Sequence, residues 1–226
     1  MPLKESTGNM YKWVTHTWNP VRGKCGFDCS YCYVGKWGKE YPIHFVEAEM
    51  RANLGSGNYI FICSGCDLFH HDIPENWIDR VIDRTRFFQG NEYLWHTKNP
   101  ARAVAVLTTE IILGSDGDKD ILCTTIESDK VHTCMAKAPH PKDRAEALSL
   151  YPHRKMITVE PIMDFDLKDF TALILSAEPE QVNIGADSCR SGLREPPAWK
   201  IKELIEALEK HTKVHRKKNL ERLFSS

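Results

Sequence analysis

Short apolar or β-branched runs alternate with polar loops and helical stretches along most of the chain. Helices are predicted at 74–88, 197–211, 101–107 and 142–150 from apolar residues at helical spacing. The predicted strands lie at 11–17, 58–64, 92–98, 120–127, 154–161, 180–186 and 213–217. Because strands and helices alternate at this pace, the sequence predicts an α/β fold with a parallel sheet and right-handed crossovers.

The length of the chain limits the number of β/α units that it can form. The chain has 226 residues, whereas a complete eight-unit barrel typically needs about 250. We therefore predict a partial (β/α)6 TIM-type barrel with parallel strands, folded as a single domain over 1–226. Active sites of parallel barrels gather at the carboxyl ends of the strands, and the predicted strand ends are polar here: "CSGCD", "HTKNP", "TTIESD", "VEPIMD" and "GADS".

Composition excludes several classes of protein. Hydrophobic residues make up 42% and charged residues 27% of the chain, as in ordinary globular proteins. No stretch approaches the roughly 18 apolar residues of a membrane span, and we expect a cytoplasmic protein. With 30 basic and 31 acidic residues there is no overall field to attract nucleic acid. The C-terminal segment 210–226 is locally basic despite this overall balance. It either forms a solvated tail or contacts phosphate groups.

Three of the eight cysteines fall within eight positions, in "KCGFDCSYCYVGK". Cys25, Cys29 and Cys32 follow the spacing C-x3-C-x2-C, and soft thiolates in a reducing compartment select iron-sulfur clusters or zinc. Three ligands leave one cluster position open to a substrate or cofactor. The alternative is a structural zinc site completed by a distant Cys63, Cys66, His70 or His71.

The spacing of these cysteines, with the aromatic Tyr31 before the third, resembles the cluster loop of the radical S-adenosylmethionine (SAM) superfamily; here this loop spans 19–36. The resemblance implies a 4Fe-4S cluster on Cys25, Cys29 and Cys32, with SAM on the open iron. It implies reductive cleavage of SAM to a 5'-deoxyadenosyl radical that abstracts hydrogen from a substrate. It also implies an electron donor of the flavodoxin or ferredoxin type.

The same resemblance assigns residues to SAM. The turn "SGCD" stands where the superfamily binds the methionine amino group, although it keeps one glycine and has Asp in place of Glu. Later strand ends stand where the superfamily binds the ribose, the amino-acid end and the adenine. The residues expected to contact the cofactor are Tyr31, Ser64, Gly65, Asp67, Thr125, Glu127, Glu160, Asn183 and Gly185.

A narrower resemblance runs from about 15 to 219. The stretches "THTWNPVRGKC", "FICSGCDLF", "LWHTKNPARA", "TTIES", "VEPI" and "NIGADS" look like a poorly characterised group of short radical SAM proteins frequent in bacteriophages. The chain departs from that group at His96, Cys66 and Asp187. The phage association favours a modified or damaged nucleobase in DNA as substrate, rearranged or repaired, in an isomerase or lyase reaction.

Residues beside the cofactor are candidates to hold or protonate the substrate. Lys98 and His96 end the third predicted strand, and Cys134 in a polar loop could return a hydrogen atom to a product radical. Trp13, Trp18, Trp37 and Trp95 could stack on a base, and Lys213, Arg216, Lys217 and Lys218 could contact phosphates. The alternatives are a peptide or small-metabolite substrate and, in a different class, a non-enzymatic zinc-binding adaptor.

Overall fold

The computed structural model describes residues 3–7, 10–35, 41–112 and 119–225, with the side chains of 110–112 left aside. The strands are β1 (Lys4–Glu5), β2 (His16–Trp18), β3 (Val21–Arg22), β4 (His44–Phe45), β5 (Tyr59–Ile62), β6 (Glu92–Thr97), β7 (Asp120–Thr125), β8 (Arg154–Val159), β9 (Gln181–Ile184) and β10 (Lys213–Arg216). The α-helices are α1 (Glu75–Phe87), α2 (Pro100–Ile112), α3 (Pro141–Ser149), α4 (Leu167–Ser176) and α5 (Ala198–Leu208). Short 3-10 turns lie at Glu49–Arg51, Thr133–Met135 and Lys218–Leu223.

Eight strands form one sheet in the order β1-β2-β5-β6-β7-β8-β9-β10. Every neighbouring pair from β2 to β10 is parallel, and β1 adds an antiparallel edge to β2. β3 and β4 form a separate antiparallel pair. The prediction of a parallel α/β sheet is confirmed, and among the described residues no ladder joins β10 back to β1.

The two faces of the sheet differ because side chains alternate along a strand. Trp95, Leu122, Ile157 and Val182 point to the main core, which the helices cover. Burying each such side chain contributes about 1.5–3 kcal/mol.

The opposite face carries a smaller apolar cluster of Phe61, Leu94, Cys123 and Met156, packed against Tyr11 of the N-terminal segment. The strand register continues this face toward the carboxyl ends, where Thr125, Thr158 and Asn183 are aligned on adjacent strands. That end of the uncovered face is therefore polar.

Several predicted boundaries differ from the observed ones. The strand predicted at 11–17 is observed only at His16–Trp18, because the chain turns at Tyr11–Val14 and packs onto the sheet's second face. Helix α4 was not predicted, although the Asp166 side chain accepts hydrogen bonds from the backbone N–H groups of Lys168 and Asp169, as an N-cap does. Within the described residues, no helix has the length and apolar character needed to cross a membrane.

Candidate active site

One large cavity of about 870 Å³ opens at the carboxyl ends of the parallel strands. Its volume lies within the roughly 300–1,000 Å³ of small-molecule sites. The predicted site residues that line it are Cys25, Cys29, Tyr31, Cys32, Ser64, Gly65, Asp67, His96, Lys98, Thr125 and Glu160. Residues separated by up to 135 positions in the chain (25 to 160) therefore meet at one site.

The cysteine loop is held by backbone hydrogen bonds. The N–H of Cys32 donates to the carbonyl of Cys29 at 3.0 Å, and the N–H of Ser30 donates to the carbonyl of Cys134, also at 3.0 Å. The Cys29 thiol lies 3.6 Å from the carbonyl oxygen of Met135. The loop is thus fixed onto the segment that follows β7, and its three partly exposed cysteines border the cavity.

The donor set of this loop suits soft metal chemistry. Burial raises the pKa of Cys25 to about 12 and raises the pKa of Cys29, so both thiols are protonated near neutral pH until a metal replaces the proton. A single zinc ion, with Zn–S bonds of about 2.3 Å, would bring its sulfur ligands to about 3.8 Å from one another. Of the residues described, only His70, His71 and Asp72 bring three ligand atoms within 4.8 Å. Three cysteines on one short loop suit either an iron-sulfur cluster or a zinc ion as their ligand set.

The residues proposed to complete a zinc site lie in different places. Cys63 and Cys66 border the cavity, whereas His71 is exposed. His70 is buried behind the cysteine loop, with its ring packed against Phe27 at 4.4 Å between ring centroids. A Cβ at Gly26 would collide with this ring, so glycine is required for the close approach of loop and histidine.

A buried ionic network underlies the loop. The Glu127 carboxylate accepts hydrogen bonds from the Tyr31 hydroxyl and, at 2.8 Å, from the Arg144 guanidinium. Lys98 Nζ lies 3.3 Å from Glu127 Oε1 and 5.4 Å from the centroid of the Tyr31 ring. Burial acts against the Glu127 charge, but Arg144 and Lys98 outweigh it and hold the pKa of this carboxyl well below its ordinary value. Arg144 also donates to the Thr125 carbonyl.

Lys98 stays charged in this network. Burial acts against its ammonium, but the neighbouring Glu127 and Cys29 raise the pKa above the ordinary value. A lysine of this kind orients groups and is a poor base at neutral pH. Glu127 itself is fully buried and does not border the cavity, so it acts on the cavity through Tyr31 and Lys98.

The turn after β5 is tied to the next strand. The Asp67 carboxylate accepts from the Thr97 hydroxyl at 2.7 Å, from the Lys98 backbone N–H at 2.7 Å and from the Phe69 backbone N–H at 3.0 Å. Burial nevertheless raises the pKa of Asp67. The Ser64 carbonyl accepts from the Tyr33 hydroxyl, and Gly65 faces open space. This turn presents backbone to the cavity and uses its carboxylate to fix its own shape.

His96 and Thr125 form a neutral pair on the wall of the cavity. Their Nε2 and Oγ1 atoms lie 2.9 Å apart. Burial, together with Lys98 and Lys217, lowers the pKa of His96 to about 3. The imidazole is therefore uncharged at neutral pH.

Asn183 is fully buried below the wall of the cavity. Its Oδ1 accepts from Gln181 at 2.8 Å, and its Nδ2 has no partner among the described residues. The structure brings it next to Thr158 on the same face but not onto the surface of the cavity.

Glu160 organises the far wall. Its carboxylate accepts from Lys217 Nζ at 2.5 Å and from Asn219 Nδ2 at 2.8 Å, and the Ser188 hydroxyl lies 3.1 Å away. A Cβ at Gly185 would lie 2.8 Å from Glu160 Cδ, so Gly185 permits this approach. Gly185 thus shapes the wall without bordering the cavity.

Cys134 lies away from the cavity, where a residue that returns hydrogen to a product radical would have to be. Its thiol lies 3.6 Å from Met163 Sδ, in an apolar cluster with Tyr31 and Met135, and burial raises its pKa. It does not border the cavity in this conformation.

Sequence reasoning missed the roles of Arg144 and Asn219 and expected Lys217 to contact phosphates. Lys217 is only 8% exposed and lies over the Tyr11 ring at 4.7 Å. The alternation of side chains along β10 could have indicated this position. His215 is aligned with Asn183, and Lys217 follows two residues later on the same face of the sheet.

The four tryptophans proposed to stack on a base divide into three groups. Trp18 and Trp95 are buried in the core and offer no face to a nucleobase, so that part of the stacking hypothesis is wrong. Trp13 is partly buried and stacks on Tyr11 at 5.0 Å between ring centroids. Trp37 lies outside the described residues.

Solved structures of spore photoproduct lyase have a similar fold. A Tyr-to-Phe variant gives a TM-score of 0.57 at 9% identity, covering 95% of this chain and 80% of that chain. A Cys-to-Ala variant with dinucleoside spore photoproduct gives 0.52 at 10% identity, covering 93% of this chain and 66% of that chain. At such identity the similarity concerns the fold alone.

No curated protein matches the chain. A family model does match, over residues 9–201, and it covers most of the sequence. The chain therefore belongs to the family described as protein of unknown function, DUF5131.

Proposed function

We propose that the chain is a radical SAM enzyme that holds a 4Fe-4S cluster on Cys25, Cys29 and Cys32 and binds SAM in the adjoining cavity. The observation that carries this proposal is that all three cysteines of the C-x3-C-x2-C loop border one large cavity at the strand ends. When bound and reduced, the cluster and SAM would supply a 5'-deoxyadenosyl radical for hydrogen abstraction. A flavodoxin-like or ferredoxin-like protein would deliver the electron.

The chain's own residues position these groups. Tyr31, anchored by Glu127, fixes the loop between the second and third cysteines. The backbone of Ser64 and Gly65 lies where the methionine end of SAM would be bound, and Asp67 holds that turn in place. Thr125 and His96 on one wall and Glu160 on the other supply neutral and charged hydrogen-bonding groups. The parallel sheet would then be a partial (β/α)6 barrel with the cofactor at its open end.

A nucleobase in DNA is the substrate class that we favour. The fold similarity to a lyase whose structure was solved with dinucleoside spore photoproduct supports a DNA lesion or modified base. The resemblance to phage-associated proteins points in the same direction. Lys98 and His96 border the cavity and would hold the base, while Cys134 would need to move to donate hydrogen.

Two alternatives remain, and each makes a different prediction. A peptide or small metabolite would use the same cluster and cofactor but not the basic segment. A zinc-binding adaptor would be colourless and would leave SAM intact.

We expect anaerobically reconstituted protein, given dithionite, to convert SAM into methionine and 5'-deoxyadenosine. The products are measured by chromatography and mass spectrometry. The matched control is the same protein without dithionite. Absence of both products from protein that contains four irons per chain would rule out reductive cleavage.

Binding of a polynucleotide is expected to depend on exposed lysines of the last strand and the turn after it. Changing Lys213 and Lys218 to Gln should lower DNA affinity and flatten the slope of log K against log salt by about 1 to 2 units, since each lost phosphate contact accounts for roughly 0.7 to 0.9. Both side chains are exposed, unlike that of Lys217. Binding is measured by fluorescence anisotropy with single-stranded and duplex DNA.

The control variant changes Lys142 and Lys168, exposed on helices α3 and α4, and should keep the wild-type slope. An unchanged slope in the Lys213 and Lys218 variant, or no DNA binding at low salt, would argue for a free nucleotide, peptide or metabolite.

A further inference from the structure

The chain places a fourth thiol on the wall of the cavity that holds the three cysteines. Cys66 is 6% exposed and borders the same cavity as Cys25, in the turn between β5 and α1. The backbone N–H of Asp67, the next residue, interacts with the sulfurs of both Cys25 and Cys66. Two thiols that share one donor lie close together, so Cys66 is adjacent to the cysteine loop in space although 41 positions separate it from Cys25.

Cys63 belongs to the same turn but is oriented differently. Its sulfur interacts with the backbone N–H of Val21, and its charged neighbours are Asp67, Glu49 and Arg22. The Cys66 sulfur instead has Cys63 and Cys25 as neighbours. Cys25 is a neighbour of Cys66, which makes Cys66 the candidate ligand. Cys63, which also borders the cavity, serves as its matched control.

A cubane bound by three cysteines has one iron without a protein ligand. Such an iron is exposed to water and oxidants unless another donor covers it, and a thiolate is the donor that iron in such clusters prefers. Cys66 is a free thiol beside the loop that can supply this donor.

We propose that Cys66 is a reversible fourth ligand, which binds the open iron of the cluster when SAM is absent and leaves it when SAM binds. This inference rests on the proposed function. Binding forms an Fe–S bond, breaks the S–H bond of Cys66 and releases the proton to solvent, with no electron transferred. SAM takes the iron position, and the thiolate regains a proton. The cavity then protects its cluster between turnovers without a second protein.

The test compares wild type with Cys66→Ala, Cys66→Ser and Cys63→Ala, all reconstituted anaerobically and free of SAM. Each protein is treated with ferricyanide, which removes one electron per cluster so that an open iron leaves as Fe²⁺. The three-iron cluster that remains is followed by its electron paramagnetic resonance signal. We expect slow formation in wild type and Cys63→Ala, and formation faster by about tenfold or more in Cys66→Ala, in line with the roughly 10- to 100-fold losses seen when groups around a metal site are removed.

Affinity for SAM provides a second readout. When SAM must first displace Cys66, its apparent dissociation constant is the intrinsic value divided by the fraction of molecules with an open iron. If Cys66 is bound in about nine tenths of the molecules, Cys66→Ala should therefore bind SAM about tenfold more tightly. Cys66→Ser should fall between the two, since an alcohol oxygen is a weaker ligand for iron, and it tests the proposal even if the alanine variant folds poorly.

Iron content before oxidation separates the two possible failures. Wild-type protein without iron and sulfide would contradict the proposed function itself. Wild-type protein with four irons that loses one as fast as Cys66→Ala, with equal SAM affinity, would overturn the role of Cys66 alone.

Discussion

Replacing Cys25, Cys29 or Cys32 by alanine is expected to abolish cluster assembly and SAM cleavage completely. Each thiolate is one of only three permanent protein bonds to the proposed cluster, and all three border the cavity. Iron and sulfide are quantified after anaerobic reconstitution, and cleavage is measured in parallel.

The control for this prediction is Cys123→Ala. Cys123 is fully buried on the sheet's second face, within the small apolar cluster, and does not border the cavity. This variant should keep its iron. Full iron content in any one of the three loop variants would show that the ligands are assigned wrongly.

The largest expected effect on folding comes from Arg144→Leu. Arg144 and Glu127 are both fully buried and form an ion pair at 2.8 Å. Glu127 would keep Lys98 and the Tyr31 hydroxyl as partners but lose the guanidinium. Breaking a buried pair costs about 3 to 5 kcal/mol, a large part of the roughly 5 to 15 kcal/mol that stabilises a typical domain. Urea denaturation of the apo protein at pH 7 measures this free energy of unfolding.

Arg154→Leu is the matched control. Arg154 pairs with Glu92 and Glu180 near the opposite ends of the strands, where its side chain is 34% exposed. Such a pair contributes about 0 to 1 kcal/mol. Equal losses of stability in the two variants would contradict the special role of the buried network.

The pH dependence of the Arg144 effect follows from Glu127. Burial opposes the Glu127 charge, but Arg144 and Lys98 lower its pKa from 4.5 to about 2. A carboxyl whose folded pKa is depressed stabilises the fold above its unfolded pKa and loses that contribution as the pH falls through the folded pKa. The difference in stability between wild type and Arg144→Leu should therefore be largest at neutral pH and shrink between about pH 4.5 and 2.

The apolar runs of the sequence predicted most of the sheet, because strands buried on both faces of a parallel sheet consist of short continuous apolar stretches. The strands at 92–98 and 154–161 are observed as Glu92–Thr97 and Arg154–Val159. The pattern failed where tertiary packing overrides it. "YKWV" has a high β-propensity, but Tyr11 and Val14 pack across the second face of the sheet instead of joining it.

The site was predictable where a motif or a strand end marks it. The cysteine spacing located the loop, and the strand ends located Lys98 and Glu160 on one cavity. Arg144 lies within helix α3, and an arginine in a helix is ordinarily expected to face solvent. Its burial follows from the ion pair with Glu127, which only the structure shows. The proposed role of Cys66 could not be predicted from the sequence, because it depends on the closeness of Cys66 to Cys25 in space and not on their spacing along the chain.

The most direct test of a cluster in this cavity is the iron and acid-labile sulfide content of protein purified without oxygen, combined with its Mössbauer spectrum. We predict about four irons and four sulfides per chain, as in a 4Fe-4S cluster, and the quadrupole doublets of that cluster. One zinc ion per chain and no sulfide would contradict the proposal and leave a metal-binding adaptor as the better account.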